Sequence, residues 1–458
     1  MKLLFCCQNY WPHRGGVSEV MRQIAERMVA AGHDVSVAAC VHPDRKADVH
    51  NGVRIHSFDI TGNLVNGIRG EADRYRKLLI DFDGDAVLIK AAQQWSFDAL
   101  WPVLDQIKAR KIFVPCGFSS FYEPSFSDYF RQLPDILRKF DHLIFYAERY
   151  RDIEFVRANG ITHFSIIPNG ASEVEFGRTT RNGRLREELG IPATDLVFLT
   201  VGAPISAKGH ETVAEAFAQV DLGGRGATLI LNGDWPPPGR RFTAGHFRAV
   251  LQRFASRNSM QKAIQLLCEA GVRGGIDRLF PKSQTLKSQR IAAATTHGAS
   301  SDAPASTADS ARAEKTVLRV DLPRSQVVDA FFEADLFIFA SKVEYSPLVL
   351  FESAAAGTPF LTVPAGNAAE IVCWTGGGWL CPAEVDGRGY VKVSPAIMAR
   401  EIEKGIRSPD YLREFGAAGR QAWLDRFTWA KIAKSYERIL RGEVVISPMQ
   451  SAEPAVGG

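Results

Sequence analysis

Two carboxylates with seven residues between them, Glu344 and Glu352, bracket a Ser346-Pro347 pair suited to start a helix, with Ser as N-cap and Pro at the first helical position. Ahead of them Leu336–Ala340 is an apolar run of strand length and Ser341–Tyr345 a loop, and the helix is expected to run to Gly357. A helix N-terminus at the carboxyl end of a parallel strand offers free N–H groups and the positive end of a dipole, so phosphate should bind there. Carboxylates beside it suit sugar hydroxyls, which donate where carboxylates accept. The plainer alternative makes Glu344 a surface charge of the loop and Glu352 an exposed helix residue. Against that, Glu352 lies between Phe351 and a run of alanines that should pack tightly. Lys208 stands at the start of another helix, whose positive end disfavours a cation without a partner, so it is either a ligand for the same anion or a solvated lysine. Gly16 either lets backbone approach a ligand or is a plain turn glycine.

The elements that must position these residues alternate between strand-length apolar runs and stretches of helical period, the pattern of a parallel sheet covered by helices. Leu3–Cys7, a loop with Pro12, Gly15 and Gly16, a helical face of Val17, Val20, Ile24 and Met28, Gly32 as its stop, and Val35–Cys40 make one β-α-β unit. Runs at Ala86–Ile89, Lys111–Val114, His142–Tyr146 and Phe164–Ile167 continue it to Pro168-Asn169-Gly170. The polar stretch Ala171–Ala193 reads as a connector. A second series follows at Leu196–Val201, Thr228–Leu231, Val317–Val320, Leu336–Ala340 and Phe360–Val363. The expected fold is α/β, two doubly wound Rossmann-like domains facing across a cleft. They are expected at residues 1–170 and 194–427. The stretch between Gly233 and Thr316 is too long for an ordinary crossover. It has helical patterning around Phe247–Phe254 and Ala263–Cys268 and an Ala/Ser/Thr-rich run from Ile291 to Ala313. Residues 282–316 are expected to be a disordered insertion, with a functional lid as the alternative, and removal of Ile291–Ala313 is expected to be tolerated.

The chain has 458 residues, 55 Lys+Arg against 51 Asp+Glu and a net charge of +4, with no basic block, which argues against nucleic acid as the partner. Seven cysteines (Cys6, Cys7, Cys40, Cys116, Cys268, Cys373, Cys381) form no C-x-x-C pair, as expected in a reducing compartment. The first apolar stretch is too short for a signal segment or a membrane span, so a cytoplasmic location is expected.

Glu344 and Glu352, followed by Ala354-Ala355-Ala356-Gly357-Thr358-Pro359, resemble the E-x7-E element of the nucleotide-sugar glycosyltransferases of GT-B fold, retaining family 4. Gly15-Gly16 with Ala31-Gly32-His33-Asp34-Val35, Ile167-Pro168-Asn169-Gly170, Val201-Gly202 with Lys208-Gly209, and Phe427-Thr428-Trp429 are similar to further motifs of that family. The resemblance covers the chain apart from Gly233–Thr316. It implies transfer of a sugar from a nucleoside diphosphate to an acceptor hydroxyl, with retention and without a metal or other cofactor. Glu352 would bind the ribose, and Glu344 with the Tyr345-Ser346-Pro347 backbone the donor sugar. Lys208 would bind the diphosphate, stabilising the leaving group, and Gly16 would approach the donor from the opposite domain. A last helix, about residues 428–442, would cross back onto the first domain. The acceptor would be a glycan or a lipid-linked one, and bacterial surface polysaccharide assembly is a common setting for the family.

Two departures stand out. Ala203 replaces the arginine usual after V-G, and Cys116 occupies the place of a histidine near the donor sugar. Cys116 is expected to be a small buried residue rather than a nucleophile. Phe118, Phe121 and Tyr122, in the loop after Lys111–Val114, are candidates to stack on acceptor sugars, with core packing or a lid as the equal alternative. Arg131, Arg138 and Lys139 are either a solvated helix face or a peripheral contact with the inner face of an anionic membrane. A non-catalytic sugar-nucleotide or glycan-binding protein is the rival that the departures motivate. A nicotinamide dehydrogenase is excluded because neither Gln8–Gly16 nor Gly202–Gly209 supplies G-x-G-x-x-G.

Overall fold

A computed structural model describes residues 1–178, 181–235, 289–291 and 314–443. The first half contains β1 (Lys2–Cys6), β2 (Asp34–Cys40), β3 (Val49–His50), β4 (Val53–Phe58), a small ribbon of β5 (Ile60–Thr61) with β6 (Arg69–Gly70), and β7 (Ala86–Lys90), β8 (Arg110–Val114), β9 (His142–Phe145) and β10 (Phe164–Ile166). Eight of these strands form one sheet in the order β10-β9-β8-β7-β1-β2-β4-β3, parallel except for β3 against β4. The second half contains β11 (Leu196–Val201), β12 (Ala227–Asn232), β13 (Gln289–Ile291), β14 (Lys315–Val320), β15 (Leu336–Phe339), β16 (Phe360–Thr362) and β17 (Gly378–Leu380). They are ordered β13-β14-β12-β11-β15-β16-β17, with β13 antiparallel.

The central strands are continuous apolar runs because helices cover both faces. Leu4, Val87, Ile89 and Phe113 enter one core and Leu3, Phe5, Leu88 and Ile112 the other. Helix Gly16–Ala30 buries Val20, Ile24 and Met28 on the second face, and Gly32, at φ +84°, lets the chain turn into β2. Helix Trp429–Leu440 shares that core through Trp429, Ile432 and Tyr436, so the chain ends its described course on the first sheet. Its return is fixed where Thr428 bridges to Ala171, whose carbonyl also accepts from the Trp423 indole at 3.1 Å.

Strand order reverses at β1, between β7 and β2, and at β11, between β15 and β12. The crevices outside the carboxyl ends of β1/β7 and β11/β15 are therefore the two places where a ligand fits an open α/β sheet.

Several elements differ from expectation. The Ala171–Ala193 stretch includes helix Arg184–Leu189, anchored because the buried Glu333 accepts from the N–H groups of Asn182 (3.1 Å) and Gly183 (2.8 Å). β4 and β17 are additional strands; the first is half polar (Val53-Arg-Ile-His-Ser-Phe58) and the second only three residues long. The 282–316 insertion is too broad a range: Gln289–Ile291 pair with Lys315–Val317, and β14 begins at Lys315. The rest of that range, and the helical patterning around Phe247–Phe254 and Ala263–Cys268, lie outside the described residues.

Candidate active site

Lys208 is brought to Glu344 by a glycine. After β11 the chain makes one tight turn over Ser206–Lys208 and leaves it through Gly209 at φ +73°. A Cβ on Gly209 would lie 2.1 Å from the Ala340 carbonyl oxygen, so only glycine lets this turn rest on the end of β15. The contact is sealed where Lys342 N–H (2.7 Å) and Ser341 Oγ (3.1 Å) donate to the Ala207 carbonyl. In that arrangement Lys208 Nζ is paired with Glu344 Oε1, which also accepts from Ser341 Oγ at 2.8 Å. Lys342 Nζ donates to Ser206 Oγ at 3.0 Å, a second amine on the turn whose start carries Ala203 instead of arginine.

Helix Leu348–Ala356 begins one residue later than the sequence suggests. Pro347 holds the cap position and no side chain caps the helix. Ser346 instead directs its carbonyl to Asn169 Nδ2 (3.1 Å), and its hydroxyl is buried without a partner. Asn169 Oδ1 and Asn367 Oδ1 are also buried and unpartnered. A buried acceptor without a partner is costly, and a ligand hydroxyl reaching it would remove that cost.

Glu352 is 7 % exposed, one face of its helix being packed by Leu350, Phe351, Ala354 and Ala355. Arg324, at the start of helix Arg324–Glu333, donates to its Oε1 at 2.6 Å and to both oxygens of Glu175 at 3.0 and 2.7 Å. Burial works against the Arg324 charge, but the Glu352 and Glu175 carboxylates outweigh it and hold the guanidinium above its ordinary value. Sequence reasoning missed Arg324, because nothing in its spacing links it to Glu352.

From the opposite half, the Gly15-Gly16 turn faces this helix: a Cβ on Gly16 would stand 3.9 Å from Leu348 Cδ1, an ordinary contact. Tyr345 is expected to contribute its main chain rather than its side chain. Its ring packs against the first half's core, as does Leu348. Cys116 is half-buried at φ +61°, and burial pushes its thiol up, away from the thiolate a nucleophile needs.

Phe118 is a correction. It is 1 % exposed, edge-on to Phe130 and Phe155 in the core, and has no face for a sugar. Phe121 packs against the same group, whereas Tyr122 is exposed, with the Arg151 guanidinium 5.6 Å from its ring centre. Arg131 and Arg138 each lie 2.8 Å from an aspartate one turn away, and Lys139 lies 2.5 Å from Asp105, the arrangement of a solvated face.

Two buried charged residues went unnoticed. Lys90 ends β7 and donates to Tyr146 Oη at 2.5 Å; burial lowers its pKa. Its signal was visible as a lysine closing the apolar run Ala86-Val-Leu-Ile at the cleft end of a strand. Asp152, fully buried, accepts from the N–H groups of Gly117 (2.8 Å) and Ile153 (2.9 Å).

Two Rossmann-like halves whose switch points meet across a cleft, one of them presenting paired carboxylates and a lysine at a helix N-terminus, define the GT-B architecture. Within it, residues 313–421, which include Glu344 and Glu352, match the model of the family described as Glycosyl transferases group 1. The fold is similar to that of sucrose-phosphate synthase from Thermosynechococcus elongatus (TM-score 0.64, 17 % identity, 96 % of this chain and 98 % of that one). It is also similar to Anabaena HepE in complex with UDP-glucose (TM-score 0.61, 17 % identity, 96 % and 100 %). In sequence, 125 residues are 28 % identical to alpha-maltose-1-phosphate synthase of Mycolicibacterium smegmatis, a match spanning 27 % of this chain and 31 % of that protein.

Proposed function

We propose that this protein is a retaining glycosyltransferase that moves a sugar from a nucleoside diphosphate to an acceptor hydroxyl. The observation that carries the reading is the pairing of Lys208 with Glu344 at the start of helix Leu348–Ala356, with Glu352 buried further along the same helix. Glu352, one oxygen held by Arg324, offers the other to ribose hydroxyls. The helix N-terminus and Lys208 take the diphosphate, and Glu344, released by Lys208, accepts hydroxyls of the donor sugar. As the glycosidic bond breaks, negative charge grows on the departing diphosphate, where Lys208 and the helix N–H groups already lie. That phosphate oxygen takes the proton of the incoming hydroxyl, so the protein needs no nucleophile of its own and works by positioning and charge. Both carboxylates are already matched to side-chain cations, which supports charge handling without a metal. The HepE relative was solved with UDP-glucose, which makes uridine nucleotides the first donors to try.

The acceptor, a glycan or a lipid-linked one, would enter from the first half beside Tyr122. Among the described residues no helix is long and apolar enough to cross a membrane, and we place the reaction in the cytoplasm or at its membrane face. A second reading, a binding protein without turnover, is favoured by Ala203 and Cys116, which stand where the family has an arginine and a histidine.

A thermal-shift screen against nucleoside diphosphates and their sugars tests the binding half. One nucleotide should raise the melting temperature selectively, and Glu352→Ala should abolish the rise. Proton NMR of the product should then show the donor's anomeric configuration. No rise with any nucleotide, or an inverted product, refutes the reading.

A further inference from the structure

The Tyr345 ring occupies a socket built by the first half of the chain. Tyr345 Oη accepts from Tyr146 N–H at 3.1 Å and donates to the Asp152 carboxylate. Its ring centre lies 5.5 Å from that of Tyr146 and 4.8 Å from that of Tyr150. The floor is Gly117, at φ +86°, where a Cβ would stand 2.9 Å from Tyr345 Cγ, so any other residue would expel the ring. Cys116 and Phe118 on either side are also left-handed, at φ +61° and +47°. Three such residues in succession are costly backbone that only a fixed surrounding structure holds in place, and such strain gathers at functional sites.

The same junction holds Glu344. Tyr150 Oη donates to the Glu344 carbonyl at 2.7 Å, and Asn367 N–H donates to the Tyr345 carbonyl at 2.8 Å while Asn367 Nδ2 reaches the Tyr146 carbonyl at 2.9 Å. Glu370, on the neighbouring helix of the second half, accepts from the N–H groups of Glu148 (2.9 Å) and Arg149 (2.8 Å). Glu344 is thus gripped twice: its carboxylate by Lys208 and Ser341 of its own half, its main chain by the loop after β9 of the other half.

We propose that Tyr345 is a positioning residue, the pin of a latch between the two halves that sets the main chain of Glu344 when the cleft is closed. Closing the cleft and aiming the carboxylate are then one event. The role in turnover rests on the assignment of Glu344 to the donor sugar, whereas the latch stands on the contacts alone.

The test compares wild type with Tyr345→Phe, which keeps the ring and removes both hydroxyl bonds, and with Tyr150→Phe, which removes the grip on the Glu344 carbonyl from the other side. Small-angle X-ray scattering reads the separation of the halves, calorimetry with UDP reads the nucleotide site, and turnover of UDP-glucose reads the chemistry. Each variant should give a larger radius of gyration, a UDP dissociation constant within about threefold of wild type, and kcat lower by about tenfold or more with KM little changed. Scattering profiles identical to wild type in both variants overturn the latch whatever the activity. An opened profile with wild-type kcat overturns the positioning role, as does a loss of UDP affinity equal to the loss of kcat, which would make Tyr345 a nucleotide contact. If wild type neither binds UDP nor turns over UDP-glucose, the proposed donor assignment fails, and the scattering comparison still decides the latch.

Discussion

Replacing Gly209 by alanine should separate the fold of the second half from the chemistry it is built to hold. The residue sits at φ +73°, where an L side chain costs roughly 1–2 kcal/mol. The added Cβ would also meet the Ala340 carbonyl oxygen at 2.1 Å, a backbone atom at the end of a central strand that cannot swing aside. The Ser206–Lys208 turn must lift off β15 by about an ångström, giving up the bonds from Lys342 N–H and Ser341 Oγ to Ala207. Together these should amount to about 2–4 kcal/mol, a fall in melting temperature of roughly 5–15 °C for a domain of this size. The loss of activity should be larger than the loss of stability implies. Lys208 leaves Glu344, and a misplacement of about 1 Å at the reacting centre can cost on the order of a hundredfold in kcat. The assay is a melting curve alongside steady-state turnover with the donor found in the nucleotide screen, at a temperature where the variant is folded. A Gly209→Ala protein with wild-type melting and wild-type kcat would refute the account of how Lys208 is placed.

Glu352→Gln keeps shape but loses the charge that Arg324 addresses and that the proposed ribose hydroxyls would address, and a hydrogen bond to a charged group is worth about 1.5–3 kcal/mol. Nucleotide affinity measured by calorimetry should therefore fall about tenfold or more. The Asp152 carboxyl is pushed by burial from its ordinary 3.8 up to about 6, against the pull of the Tyr345 hydroxyl and the backbone N–H groups of Gly117, Ile153 and Asp152 itself. Between about pH 4 and pH 6 the native state keeps a proton that the unfolded chain has lost, so stability falls as pH rises, by about 3 kcal/mol in all, and this contribution is flat above. Asp152→Asn should remove that slope from unfolding curves taken across the window. The similar slope from Asp98, which burial pushes up to about 7, should remain. Phe118→Ala should cost about 3–5 kcal/mol as a core cavity, while Tyr122→Ala should stay within about 0.5 kcal/mol in melting and raise only the acceptor KM.

The strands flanking both switch points could be read directly, because a parallel strand buried on both faces is an uninterrupted apolar run. Leu336–Phe339 and Ala86–Lys90 have no other reading. β4 was harder, since Arg54, His56 and Ser57 break its apolar run near the edge of the sheet. Around the candidate site, the loop and helix that carry Glu344 and Glu352 and the turn that carries Lys208 could be read from local order, because each segment follows a strand and leads into or forms a helix. Arg324, Asp152 and Tyr150 could not, because their partners lie 28 to 194 positions away and only the closed fold brings them together. In the sequence Phe118 stays open between core and acceptor site for a related reason. An aromatic loop after a cleft-facing strand looks the same in sequence whether its rings turn out to a sugar or in to Phe130 and Phe155.

The two ion pairs at the site also bear on why a single chain can hold this pocket ready. Glu352 is almost fully buried, and an unpaired carboxylate there would be costly; Arg324 removes that cost, and Glu175 in turn anchors Arg324 from the segment that joins the halves. Lys208 and Glu344 neutralise each other in the same way, and the proposed diphosphate would take the place of one partner. On the proposed donor assignment the incoming ligand would carry the anion that Lys208 prefers and the hydroxyls from which Glu344 accepts, so binding would exchange one pair for two. A site built like this selects for a ligand with both groups at once. A phosphate without hydroxyls would strand Glu344, and a sugar without phosphate would leave Lys208 where it is.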